Sequence, residues 1–207
     1  MEADEPLTTV RGEDWYARDL SGEAFERVEL VDVDLTEARA AGATFTECVF
    51  RGVRFNASVW TDTAFTSCRF VRCVFFDARF ERCKLVGSAF DDCTFDLLKV
   101  DRGDWSFVSL RRARLAGVRI EGTRLREVDL SGARAQDAVL TGLDLSGADL
   151  DDIDLRGTDL RGSDVSALDP RTALLDGATI DARQAATLAE NLGLVVVPVS
   201  AGQYGRP

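Results

Sequence analysis

The sequence predicts an all-β solenoid, and three observations carry that prediction. The first is an apolar residue at every fifth position from Leu20 to Val165, within an organised stretch that begins at Val10. The series opens Leu20, Phe25, Leu30, Leu35, runs through Phe45, Phe50, Phe55, Trp60 and Phe65, and closes Leu150, Leu155, Leu160, Val165. The second is its phase, which no insertion or deletion shifts. Of fifteen Phe and Trp residues only Phe76 and Phe107 miss the register, where a one-in-five expectation would place about three on it. The third is alternation around the fifth residue, i. Position i−2 is small or aliphatic (Val33, Ala38, Ala43, Cys48, Val53) and i−1 is often charged (Asp34, Arg54, Asp129, Asp149). A strand explains this, because i−2 and i share a face while i−1 points away.

A period of five is neither 3.6 nor 2, so the stretch is not one long helix or strand. A short fixed period over some 150 residues (Trp15 to Val165) marks units that bury their apolar faces only by stacking on one another. Between Val10 and Val165, position i+2 holds twelve of the chain's seventeen glycines, Gly42, Gly87 and Gly132 among them. A chain turning a corner favours a residue without Cβ there.

Taken in order, residues 1–14 form an acidic N-terminus expected to fray. Residues 15–169 form the solenoid. Its first coil is imperfect, with Arg18 and Glu23 in i−2 slots, as a capping repeat would be. The core is aromatic from Phe25 to Phe95 and mostly Leu from Leu110 to Val165. Residues 170–198 form a C-terminal cap and dimerisation segment. Pro170 closes the repeat, Leu174, Leu175 and Ile180 add one irregular rung, and Asp181 is a helix N-cap. A helix over 182–192 follows, with Ala185, Leu188, Ala189 and Leu192 on one face and Gly193 as its stop. Leu194 to Val197 suit a short strand ended by Pro198. The tail 199–207 is expected to be disordered.

That segment bears on assembly, because a solenoid end exposes a sheet edge and core. Two ends meeting about a twofold axis would cover both. The dimerisation residues expected are Ala185, Leu188, Ala189, Leu192, Leu194 and Val196. The alternative is a monomer capped by its own helix.

Composition excludes several functions. The net charge is −11 with no histidine, which argues against direct nucleic-acid binding and against anionic membranes. Without histidine there are no His triads or His metal ligands, and no phosphate-binding Gly motif or zinc-spaced Cys cluster occurs. A filled rod has no deep pocket. No catalytic residue, cofactor site or metal site is expected, and the protein is not read as an enzyme. Cys48, Cys68, Cys73, Cys83 and Cys93 all fall at i−2 and read as core-filling thiols. With no leader or membrane-length apolar run, a cytoplasmic location is expected. Residues 129–169 hold ten Asp against three Arg, net −7. The acidic surface expected to meet a basic partner comprises Asp129, Asp144, Asp149, Asp151, Asp152, Asp154, Asp159 and Asp164. Phe76, Leu97 and Phe107 are the off-register apolar residues that either mark contacts or pack locally.

The stretches ADLDD (148–152), IDLRG (153–157) and TDLRG (158–162) resemble the pentapeptide-repeat family, whose unit reads A-(D/N)-L-x-x. The resemblance implies a right-handed quadrilateral β-helix, four pentapeptides per coil. Residues twenty apart would then stack. Ala40 would sit between Leu20 and Trp60, a volume compensation. Ala135 would sit between Leu115 and Leu155, where a void is expected. Cys48 would stack on Cys68 and Cys73 on Cys93.

Within the family the chain looks most like the topoisomerase-interacting branch, the Qnr proteins and the mycobacterial fluoroquinolone-resistance (MfpA-like) protein. It lacks the loops that interrupt Qnr coils. This likeness implies a homodimeric DNA mimic that binds DNA gyrase or another type II topoisomerase and inhibits it, with protection from quinolone-like poisons as a further role. The alternative is a general interaction scaffold with an unrelated partner.

Overall fold

A computed structural model describes residues 8–197. The chain winds as a four-sided parallel solenoid in which each rung is twenty residues and each pair of stacked residues differs by twenty. On one side Leu30, Phe50, Phe70 and Phe90 pair in register. On another, Ala40, Trp60, Phe80, Val100, Ile120 and Leu140 do so. A third joins Phe25, Phe45 and Phe65. The fourth is held by single parallel bridges such as Asp34 to Arg54 and Arg54 to Val74. Strands are only three or four residues long because every side ends at a corner.

The interior is the five-residue register. Every register residue from Leu20 to Val165 is buried except Phe25, which is half-buried in the first full rung. In the aromatic half, rings stack at the rung spacing, with centroids 4.8 Å apart for Phe45 on Phe65 and 4.6 Å for Phe70 on Phe90. The Leu half stacks less completely. A cavity of about 20 Å³ runs through it, lined by Ala135 and by leucines from Leu110 to Leu168, so the void expected at Ala135 is present.

Every i+2 residue from Gly12 to Gly162 has positive φ. The position is the one the glycines mark, yet nineteen residues with side chains also adopt φ of 48° to 60° there, Glu47, Ala57, Leu97 and Phe107 among them. The conformation costs a non-glycine residue about 1–2 kcal/mol, and the stacked rungs sustain it. About half of the corners close with a hydrogen bond from the i+3 N–H to the i carbonyl, as Ser58 to Phe55 does at 3.1 Å. At several corners where that bond is missing, a side chain at i−2 of the next rung donates instead. Cys68 Sγ reaches the Phe45 carbonyl, Cys83 Sγ that of Trp60, Ser88 Oγ that of Phe65 and Ser163 Oγ that of Leu140. The five thiols, all free, therefore fill space and also satisfy inward carbonyls. Burial pushes the Cys83 thiol up to about 12.

Three sequence expectations about the ends need correction. The solenoid starts at Thr8 rather than at residue 15, because Thr8–Arg11 pairs with Val28–Val31. Arg18 and Glu23 pair with each other at 3.2 Å, and Arg18 covers the Trp15 ring. At the other end the irregular rung expected after Pro170 is present, since Leu174 bridges to Asp154 and Thr179 to Asp159. The helix α1 runs Ala182–Asn191, with Leu192 as its C-cap and a capping box between Asp181 and Gln184. Leu194 to Val197 form no strand. The Leu194 N–H bonds back to Ala189, and Val195, Val196 and Val197 meet no strand partner among the described residues. The expected fray of residues 1–7, the stop at Pro198 and the tail 199–207 lie outside the described residues.

The ladder is incomplete beside the last rung, where the Leu145, Gly147 and Leu150 N–H groups lack their ladder bonds, and at one seam further inside the rod. On the fourth side, single bridges link Asp14, Asp34, Arg54, Val74 and Thr94, then resume between Arg114, Arg134 and Asp154. Thr94 and Arg114 are not bridged. The ladder bonds expected there by analogy with neighbouring rungs, from Asp92, Phe95, Leu97 and Arg114 N–H groups, do not form. Gly103 lies across the rod, on the side where Asp104 bridges Lys84 and Arg124; it has φ +99°, and a Cβ on it would overlap the Cys83 carbonyl oxygen.

Candidate functional site

With the interior filled by side chains, the working surface is outside the rod. Its acidic residues have a structural duty the sequence reading missed. An Asp at i−1 accepts a hydrogen bond from the backbone N–H two residues on: Asp129 from Ser131, Asp149 from Asp151, Asp164 from Ser166. These Asx turns brace the corner and leave the second carboxylate oxygen outward.

The eight expected carboxylates divide by their partners. Asp144 is gripped by Arg126 at 2.6 Å, Asp154 by Arg156 at 2.7 Å and Asp159 by Arg161 at 2.6 Å. Asp154 is also buried and bonded by Gln136. The Arg156 guanidinium holds its carboxyl at about 2, well below the usual range. Ser146 and Arg126 lower Asp144, and Arg161 lowers Asp159. These three are neutralised pairs rather than free charges. Asp129, Asp149, Asp151, Asp152 and Asp164 have no ion pair among the described residues. Asp129 and Asp149 stack on adjacent rungs, and with Asp151 and Asp152 they line one groove, which Arg111 and Arg112 also border.

The distribution of charge along the rod also differs from the expectation. Residues 1–37 carry net −9, residues 38–128 net +5, residues 129–169 net −7, and residues 170–207 are neutral. Acidity is therefore concentrated at both ends around a basic waist, rather than chiefly in the last coils.

The C-terminal residues also separate. Leu188 and Gln184 face the chain's own last rung and are buried. Gln184 Nε2 donates to the Leu160 and Ser163 carbonyls, and Asn191 Nδ2 to that of Leu168. The helix thus supplies donors to an open rung end. Ala185 is exposed, Ala189 half-buried, and Leu192, Leu194 and Val196 stand out as exposed apolar residues. Phe76, Leu97 and Phe107 are each about half exposed, at 49%, 54% and 55%. No cluster of metal-ligating side chains occurs among the described residues, and no helix there is long and apolar enough to cross a membrane.

Comparison with known proteins agrees with this architecture. The pentapeptide-repeats family model matches in eight copies, over residues 29–58, 101–132 and 123–162. Among solved structures, three forms of QnrB1, described as a plasmid-mediated fluoroquinolone resistance protein, match the fold. Two trypsin-treated forms give TM-scores of 0.52 and 0.58 at 22% and 21% identity, and the full-length form gives 0.50 at 24%. These matches cover 92%, 93% and 91% of this chain and 98% of each QnrB1 chain. No curated protein matches the chain.

Proposed function

Because this chain is a pentapeptide-repeat β-helix, we propose that it acts by binding rather than by catalysis, as a homodimer that occupies the DNA site of DNA gyrase or another type II topoisomerase. The observation that carries this reading is the group of carboxylates without basic partners, Asp129, Asp149, Asp151, Asp152 and Asp164. They stand on a rigid frame at a rung spacing of about 4.8 Å. Pre-arranged charges lose less ordering entropy on binding than a flexible acidic tail would. Duplex DNA carries one charge per about 1.7 Å, so the imitation is local, confined to the acidic ends. The fold shared with QnrB1 supports the same direction, and the exposed Leu192, Leu194 and Val196 supply the apolar seam of the dimer.

Purified gyrase in a supercoiling assay tests it. Wild-type protein inhibits, and inhibition weakens with salt because surface charge contacts are screened. Changing Asp129, Asp149, Asp151, Asp152 and Asp164 to Asn removes the charge while keeping the side-chain acceptor of each Asx turn, and inhibition falls at least about tenfold. Asp154→Asn leaves inhibition unchanged. Full activity in the fivefold variant overturns the reading. The basic waist favours a second one, a scaffold for a partner of alternating charge, in which gyrase is unaffected throughout.

A further inference from the structure

The incomplete seam places unsatisfied backbone donors beside unpaired arginines. Its lower lip is residues 91–97 and its upper lip residues 111–117. A groove follows it, lined by Asp91, Asp92, Thr94, Arg111, Arg112 and Arg114. Phe95 is buried, so its N–H lies at the floor of that opening without the ladder acceptor that its equivalents have: Phe75 bonds Thr94 and Leu115 bonds Arg134. Leaving a buried N–H unpaired costs about 1–3 kcal/mol, which a ligand offering acceptor atoms would recover.

The charges around the seam favour an anion. Among the described residues Arg111, Arg112 and Arg114 make no ion pair or side-chain hydrogen bond, and Arg134, stacked on Arg114, makes none either. Other arginines of the rod are commonly paired, as Arg54 is with Asp34 and Arg124 with Asp104. Of the two carboxylates in the groove, Asp91 is taken by Arg69 at 2.8 Å, which leaves Asp92 against three guanidinium groups, of which Arg111 and Arg112 also border the neighbouring groove of Asp129, Asp149, Asp151 and Asp152. Intact pairing on both sides, Phe90 to Ser109 and Arg119 to Leu98, keeps the opening too short for an inserted strand. A small, multiply accepting group fits the donors best.

We propose that this seam is an oxyanion site, in which a phosphate group accepts from the Phe95, Leu97 and Arg114 N–H groups and from the guanidinium groups of Arg111, Arg112 and Arg114. Guanidinium forks suit phosphate oxygens, and the basic waist raises the local anion concentration. The phosphate is either free or part of a phosphodiester backbone.

Amide NMR of the full chain tests the site, with inorganic phosphate titrated at constant ionic strength against chloride. The expected result is saturable shifts at Asp92, Phe95, Leu97 and Arg114, with apparent affinity lowered at least about tenfold in the triple variant Arg111→Gln, Arg112→Gln, Arg114→Gln. Arg54→Gln, on the same side but in an intact rung, binds as wild type. A short duplex oligonucleotide that displaces phosphate from the same amides assigns the phosphodiester source, and one that does not assigns the free anion. Linear, unsaturated shifts, or equal binding by the triple variant when its remaining spectrum shows it folded, overturn the site.

Discussion

The two halves of the rod solve one packing problem differently. From Phe25 to Phe95 the core is largely stacked rings, most of them 4.6–4.8 Å apart, with Phe75 on Phe95 at 5.5 Å and Trp60 on Phe80 at 6.4 Å, and only five of the corners as far as Phe107 are glycine: Gly12, Gly22, Gly42, Gly52 and Gly87. From Leu110 onward the core is leucine around a cavity, and glycine takes most corners, among them Gly117, Gly122, Gly132, Gly142, Gly147, Gly157 and Gly162. Flat rings fill the rung spacing completely and support strained corners. Leucines leave gaps, and the corners there are relaxed. Core packing thus offsets backbone strain where the packing is best.

The largest expected effect tests the stacked half. Phe70 stacks on Phe50 and Phe90, so Phe70→Ala removes two ring contacts and opens a void. It should cost about 3–5 kcal/mol, read from urea unfolding. The junction between the halves comes next. Trp60 Nε1 bonds Ser58 Oγ at 2.8 Å, whereas the buried Trp105 Nε1 has no partner. The difference is the i−2 residue, which is Gly103 under Trp105, where a Cβ would strike the Cys83 backbone. Gly103→Ala should therefore destabilise by about 2 kcal/mol or more, although Ala suits other i−2 slots.

A single substitution at two alanines separates the halves by sign. Ala40 pairs with Trp60 in a full rung, so Ala40→Val overpacks it and costs about 1–3 kcal/mol. Ala135 borders the cavity, so Ala135→Val fills space and should stabilise by about 0.5–1 kcal/mol. Equal costs at both sites would show that the cavity closes by itself.

Most of this architecture could be read from residue numbers because the core is one-dimensional, and Ala135 was visible as a gap once the coil length was assumed. The candidate site was less legible. Pairs such as Asp154 with Arg156 lie two residues apart and were open to inspection as D-L-R, but Arg126 with Asp144 depends on the geometry of neighbouring rungs. The seam had no sign in the residue pattern, since Gly103, the sole glycine in an i−2 slot of the repeat, lies on another side with its bridges to Lys84 and Arg124 at Asp104 intact. The missing ladder bonds follow from backbone placement.

Acid titration probes a feature common to both halves. Arg54 holds Asp34, and Arg156 holds Asp154, at about 2. Their folded values lie below the unfolded one, so their stabilisation is complete above about pH 4 and is lost as pH falls through 2. Asp34→Asn with Asp154→Asn should flatten the fall in stability across that window while preserving both Asx turns. An unchanged acid limb would place the protons elsewhere.

The smallest effects test the compensation itself. Ala57 holds φ +52° with no polar side-chain interaction to lose, and Gly117 holds φ +66° with open space where a Cβ would sit. Ala57→Gly relieves a strain of about 1–2 kcal/mol but adds unfolded-state entropy of about 0.5–1 kcal/mol. The expected net change is a gain of up to about 1 kcal/mol. Gly117→Ala reverses those terms and should lose a similar amount. If the aromatic rungs only tolerate their corners, the two changes are mirror images. If Ala57→Gly instead destabilises, the side-chain corners are favoured by their setting, and the contrast between the halves lies in the unfolded chain rather than in the folded rod.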